Sequence, residues 1–170
     1  MTLRHLLAIA ALALVATGCS TLDPKPFANA TDCFYPACTI DVDVVDDGAG
    51  GKKLKAADDG NVRMGTRHRL VGIVWKLRTP GYEFRGDSVQ PSRTRAAGVA
   101  PGLPAGSWSQ EIRAHPYWFD TVSVTNINEG RSLLAYELTV YPIAGTPGKP
   151  VTLQAAIVND PCPYPGTWCR

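Results

Sequence analysis

Hydrophobic and polar residues alternate at a period of two along much of the chain. Ile40, Val42 and Val44 are interleaved with Asp41 and Asp43. Val71, Ile73, Trp75 and Leu77 share one phase of the segment 69–78. Leu134, Tyr136, Leu138 and Val140 share one phase of a second segment, and Val151, Leu153, Ala155 and Ile157 one phase of a third. Successive side chains of a strand point to opposite faces, so each segment is predicted as a strand with one face buried. Shorter strands are predicted at 108–112 and at 118–125, the latter burying Trp118, Val122 and Val124. Residues 82–84 are predicted to begin a partner for 69–78. Turn signals separate these segments: Asp47-Gly48 with Gly50 and Gly51, Thr79-Pro80-Gly81, Gly86-Asp87-Ser88, and the stretch 143–150. The Pro- and Gly-rich stretch 91–106 is a long loop with room for one short helix at 93–99. The expected fold is all-β: a single antiparallel β-sandwich, immunoglobulin-like or transthyretin-like, of seven to eight strands.

The first eighteen residues break this pattern. Arg4 and His5 are followed by an uncharged run from Leu6 to Thr17. As a helix that run would span about 18 Å, short of the roughly 30 Å of a bilayer core. A basic start and a short apolar run instead mark an export signal. The run closes on Val15-Ala16-Thr17-Gly18-Cys19-Ser20. This segment resembles the bacterial lipobox, in which the Cys is acylated and becomes the new N-terminus. The resemblance covers this segment alone, and it departs from the commonest pattern at Ala16. It implies lipid, including palmitate, on Cys19. With Ser20 rather than Asp following, it also implies sorting to the outer membrane, facing the periplasm. The expected organisation is a signal peptide at 1–18, a lipidated tether at 19–32 and a folded domain at 33–170.

Cysteine parity bears on the same point. Apart from Cys19 there are Cys33, Cys38, Cys162 and Cys169. With Cys19 carrying lipid these four can pair completely, which suits an oxidising compartment. Two disulfides are expected. Local pairing would close two small loops; cross-pairing would staple the two tails of the domain together. Local pairing is preferred.

Charge changes the picture in one place. Removing Arg4 leaves sixteen Lys and Arg against fifteen Asp and Glu, a net +1. That balance and the compartment argue against a nucleic-acid partner. Residues 51–95 nevertheless carry eleven basic residues against four acids, after a segment 19–50 with six Asp and one Lys. The preferred reading is solvated loops facing the Asp-rich segment, rather than a patch for anionic lipid.

Candidate chemistry is sparse. His68 and His115 stand in no metal-ligand spacing, and Asp41, Asp43, Asp46 and Asp47 do not fit a calcium loop, which would need Gly at the sixth position and Glu at the twelfth. Gly86-Asp87-Ser88 is similar to the nucleophile block of GDS-type lipases, but the Asp-x-x-His pair which that family requires downstream is missing, and a turn explains the tripeptide. No catalytic residue, metal or cofactor is expected. The densest aromatic cluster is His115-Pro116-Tyr117-Trp118-Phe119, with His115, Tyr117, Trp118 and Phe119 as candidate partner-binding residues. Alternation forbids all three aromatics from facing one core; covering loops or tails are the preferred reading, a partner surface the alternative. The functional expectation is a lipid-anchored periplasmic domain that binds another envelope component, with an envelope protein as partner and without catalysis. The alternative is an inhibitor or immunity lipoprotein that blocks a toxin or hydrolase.

Overall fold

The alternating segments become the long strands of two sheets in a computed structural model that describes residues 30–33, 36–65, 68–92 and 105–160. The first sheet contains β1 (Thr31–Asp32), β4 (Val62–Met64), β6 (Tyr82–Glu83), β7 (Val89–Pro91), β10 (Ser132–Pro142) and β11 (Val151–Asn159). Its order is β1-β4-β11-β10-β6, with β7 also paired to β10. The second contains β2 (Ala37–Asp46), β3 (Lys52–Ala56), β5 (Leu70–Leu77), β8 (Ile112–Ala114) and β9 (Thr121–Ile127), in the order β3-β2-β5-β9-β8.

The protein is all-β, as the alternation predicts, but it is not the single antiparallel sandwich expected. β2 runs parallel to β5, and β4 runs parallel to both β1 and β11, so both sheets are mixed. Alternation fixes which face of a strand is buried and leaves its direction open. After β3 the chain crosses to the other sheet as β4 and returns as β5. That excursion is long enough to bring β5 beside β2 in the same direction.

Four local expectations are also corrected. The predicted strand 108–112 is a single helical turn, α1 (Trp108–Glu111), and β8 starts only at Ile112. Glu111 Oε1 accepts the Ser107 N–H at 2.8 Å, closing the turn much as a capping-box acid does. The strand predicted at 118–125 begins at Thr121, which leaves Trp118 in the preceding turn. Residues Tyr82 and Glu83 pair with β10 rather than with 69–78. Thr31 and Asp32, placed in the tether from the sequence, pair with Val62 and Arg63. The helix expected at 93–99 lies outside the described residues.

The core lies between the sheets. Ile40, Val42, Val71, Ile73, Trp75 and Val124 face Val62, Met64, Tyr136, Leu138, Val140 and Ile157 in one cluster. At its centre Trp75 and Tyr136 meet at 5.3 Å between ring centroids, tilted by 56°. Both rings are fully buried, so each polar tip needs a partner. Trp75 Nε1 donates to the Tyr136 hydroxyl at 3.1 Å, which donates to Gly60 O at 2.5 Å. Burial pushes the Tyr136 hydroxyl well above its ordinary pKa, so it remains a donor. The accepting carbonyl belongs to a left-handed turn in which Asp58, Asp59 and Gly60 all have positive φ. A side chain on Gly60 would strike Leu153 and Ala155, so Gly is required there for space as well as for φ.

Candidate functional site

β2 and β5 run from one end of the two-sheet body to the other, and the two ends differ in chemistry. At the end where β5 finishes, β8 and β9 are joined through residues 115–120. Trp118 and Thr121 exchange backbone hydrogen bonds at 2.7 and 3.1 Å, making a tight hairpin with Phe119 and Asp120 at its tip. Both tip carbonyls are tied to the body: Phe119 O accepts the Phe84 N–H and Asp120 O the Leu77 N–H, each at 2.8 Å. The loop backbone thus bridges the two sheets, because Phe84 follows β6 while Leu77 closes β5.

The side chains of that loop are exposed. Phe119 is 74% exposed, Trp118 71% and Tyr117 46%. Among the described residues no loop covers this cluster; the C-terminal Cys-bearing tail, also expected from the sequence as a cover, lies outside the described residues. Tyr117 lies beside Gly86, where an added Cβ would meet its ring at 3.5 Å. His115 sits apart from the tip, with Nε2 at 2.7 Å from the Thr125 hydroxyl on β9. Next to the loop, Arg85 stacks over the Tyr141 ring at 4.5 Å and pairs with Glu83 at 2.9 Å. Tyr141 donates to Asp87 at 2.9 Å, and burial, then that hydrogen bond, push its hydroxyl pKa up.

The opposite end buries polar groups. Glu111, half-buried, accepts Ser132 Oγ at 2.5 Å and Asn159 Nδ2 at 2.7 Å on Oε2, while Oε1 takes the Ser107 N–H. Asn126 Nδ2 donates to Asn159 Oδ1 at 2.6 Å, and both asparagines are fully buried. Asn126 Oδ1 has no partner among the described residues. The network joins α1, β9, β10 and β11 and was not singled out from the sequence. Its signal was there: along β9 the inward phase runs Val122, Val124, Asn126, Asn128, changing from apolar to polar halfway.

The remaining candidates fall in separate places. Cys33 and Cys38 are bonded to each other, which is the local pairing preferred from the sequence. Cys19, Cys162 and Cys169 lie outside the described residues. Ser88 is fully buried; its hydroxyl accepts the Arg85 N–H at 2.8 Å, so Gly86-Asp87-Ser88 forms the expected turn. His68 precedes β5, at the end of the body away from the aromatic tip. Many basic residues of 51–95 meet acids: Lys52 with Asp46, Arg63 with Asp32 and Asp160, Arg69 with Glu129, and Arg78 with Asp41. Lys55 stands directly across from Asp43, and Lys76 from Asp41. The Asp-rich segment is thereby used in pairing, as expected, but Lys52, Lys53 and Lys55 lie in β3, Arg63 in β4 and Lys76 in β5 rather than in the loops expected. No protein-family model matches the chain, and no curated protein is similar enough to show a common family.

Proposed function

We propose that this is a lipid-anchored outer-membrane domain facing the periplasm, which works without catalysis by holding another component of the cell envelope at the Tyr117–Phe119 loop. The observation that carries the reading is large exposed apolar side chains on a backbone fixed to both sheets. Exposed apolar surface gathered in one place marks an interaction site. A backbone that is already fixed loses little entropy on binding. The anchor rests on the uncharged run ending in Gly18-Cys19 and on the parity of the other four cysteines. The envelope protein expected from the sequence is one candidate component.

Two measurements test this. Cells fed a clickable palmitate are expected to label the wild-type protein and not Cys19→Ser; equal labelling removes the anchor. A photo-crosslinking residue at Tyr117, activated in intact envelopes, is expected to give a discrete adduct that Phe119→Ser abolishes. An unchanged adduct pattern in Phe119→Ser would move the contact surface elsewhere.

A further inference from the structure

The exposed apolar residues of the described chain gather at one end. Leu70, Tyr117, Trp118, Phe119 and Ile143 are the large ones, and all but Leu70 are at the end where β5 finishes. Ile143 belongs there because its N–H donates to Gly81 O, three residues before Phe84, whose N–H holds Phe119 O. Leu70 begins β5 at the other end. The result is an exposed aromatic tip.

We infer that this tip rests in the interfacial layer of the bilayer, so that the loop sets how the domain is oriented on its own membrane. The inference deepens the binding reading of the same loop. It takes proximity from the acylation of Cys19, and takes the loop's own affinity from its side chains.

Reach comes first. Ten residues, 20–29, separate Cys19 from the first described residue. At full extension the eleven steps from Cys19 to Ala30 span at most about 36–40 Å. The chain joins the sheet at Thr31, which is level with Val62, Ile157 and Leu134. Tyr141, beside the tip, lies seven residues further along β10, or about 23 Å. The tether is therefore long enough for the tip to touch the surface that holds the lipid. It is also short enough to keep the tip close.

Chemistry comes second. Trp and Tyr favour the headgroup level, where an apolar body and a polar edge are both satisfied. Backbone groups that are already paired add no desolvation cost on entering that layer. At this tip the Trp118 N–H and C=O and the Phe119 and Asp120 carbonyls all have backbone partners. The Asp120 carboxylate limits the depth to the headgroups. Attraction to anionic lipid has little net charge to work with: Arg78 and Arg85 are each paired to a carboxylate, Lys76 stands across from Asp41 and Lys53 beside Asp47, and Asp87 and Asp120 lie at the same end as Lys149. A lipid interface asks only for apolar side chains, which this loop presents on an already fixed backbone.

The test uses vesicles of phosphatidylcholine, with and without bromine on the acyl chains. The lipidated protein in brominated vesicles is expected to lose part of its tryptophan emission, and Trp118→Phe to abolish that loss. Unlipidated Cys19→Ser protein is expected to bind the same vesicles weakly and almost equally at low and high salt. Adding Trp118→Ser and Phe119→Ser should lower its partition about tenfold or more, since the binding scales with buried apolar area. Equal partition of the two unlipidated proteins, strong salt dependence, or no quenching of the lipidated one would overturn the inference. A protein adduct at Tyr117 in intact envelopes would overturn this inference and leave the broader binding reading standing, whereas a lipid adduct there supports both. If palmitate labelling fails while the unlipidated protein still partitions through Trp118 and Phe119, the anchor falls and the lipid-seeking loop stands.

Discussion

The two ends of the body violate the usual division of residues in opposite ways. Where β5 ends, Trp118 and Phe119 face outward, more than two-thirds exposed. Where it begins, Asn126 and Asn159 are fully buried beside the Glu111 carboxylate. A buried polar group or an exposed large apolar patch is informative because each costs free energy unless something compensates. At the polar end the compensation is internal: Ser132, Asn159 and the Ser107 N–H all donate to Glu111. At the aromatic end no internal compensation exists among the described residues, and under the proposed reading an external surface supplies it. One end serves the fold, and the other is the end proposed for contact.

Substitution at the polar end tests the first half of that contrast and should have the largest effect. Asn159→Ala strips Asn126 Nδ2 of its acceptor and Glu111 of one donor. Unpaired buried groups of this kind cost about 2–4 kcal/mol. Urea unfolding should show the midpoint falling with an unchanged slope, while vesicle partition of the folded protein stays the same. Asn159→Asp should be worse, since it puts a second carboxylate beside Glu111 with only the single Ser132 hydroxyl proton between them. A loss below about 0.5 kcal/mol, the usual range for a surface substitution, would show that the network is incidental.

The Cys33–Cys38 bond is next. It joins the residue after β1, in the first sheet, to β2, in the second, and Cys33 is 2% exposed. It closes a loop of only five residues' separation. In the chain-entropy model so short a loop stabilises by about 2 kcal/mol. The double change Cys33→Ser and Cys38→Ser should lower stability by about that amount and leave vesicle partition unchanged, because the aromatic tip lies at the far end. Reduced partition would mean that the two ends are coupled.

At the aromatic end the expected pattern is inverted. Trp118→Ser and Phe119→Ser should shift stability by no more than about 0.5 kcal/mol, since exposed side chains lose little on truncation. Their effect belongs in binding. If the pair instead lowers stability by several kcal/mol, the side chains are packed in solution and the contrast between the ends collapses.

The sequence carried the frame and lost the details where two physical signals coincide. Val71 to Leu77 and Leu134 to Val140 read correctly, because one face of each strand is buried and the period is unbroken. β3 was missed because Lys52, Lys53 and Lys55 surround its one buried residue, Leu54, at a sheet edge. β4 was missed because three residues are too few to show a period. Trp118 reads as core because its phase matches Val122 and Val124; a two-residue hairpin between them resets the phase. Strand direction was not legible at all, since alternation is the same for parallel and antiparallel neighbours. The cluster His115 to Phe119 was legible as a candidate, whereas its exposure depends on Phe84 and Leu77 fixing the loop backbone from two different sheets.

The smallest effect sharpens the contrast within the aromatic end, between its loop and the neighbouring β2–β3 turn. There Asp47 Oδ1 accepts the N–H groups of Ala49 at 2.7 Å and Gly51 at 2.9 Å, while Gly48 and Gly50 take the positive φ that the turn requires. Those hydrogen bonds, the one from Ala49 first, hold the Asp47 carboxyl below its ordinary 3.8. A depressed carboxyl contributes stability that is complete above the unfolded value and is lost as the pH falls through the folded one. The effect is therefore confined to acid below 3.8. It is screened, because the group is fully exposed. In an NMR titration the Ala49 and Gly51 amides should move together with a midpoint below 3.8. Asp47→Asn, which keeps the acceptor oxygen, should abolish that titration and preserve the turn, whereas Asp47→Ala should broaden both amides. The Trp118 and Phe119 signals should stay still throughout, because their loop is held by Phe84 and Leu77 rather than by β2. A midpoint at or above 3.8 would mean that the turn is open in solution, and movement of Trp118 with it would mean that the loop is not independently held.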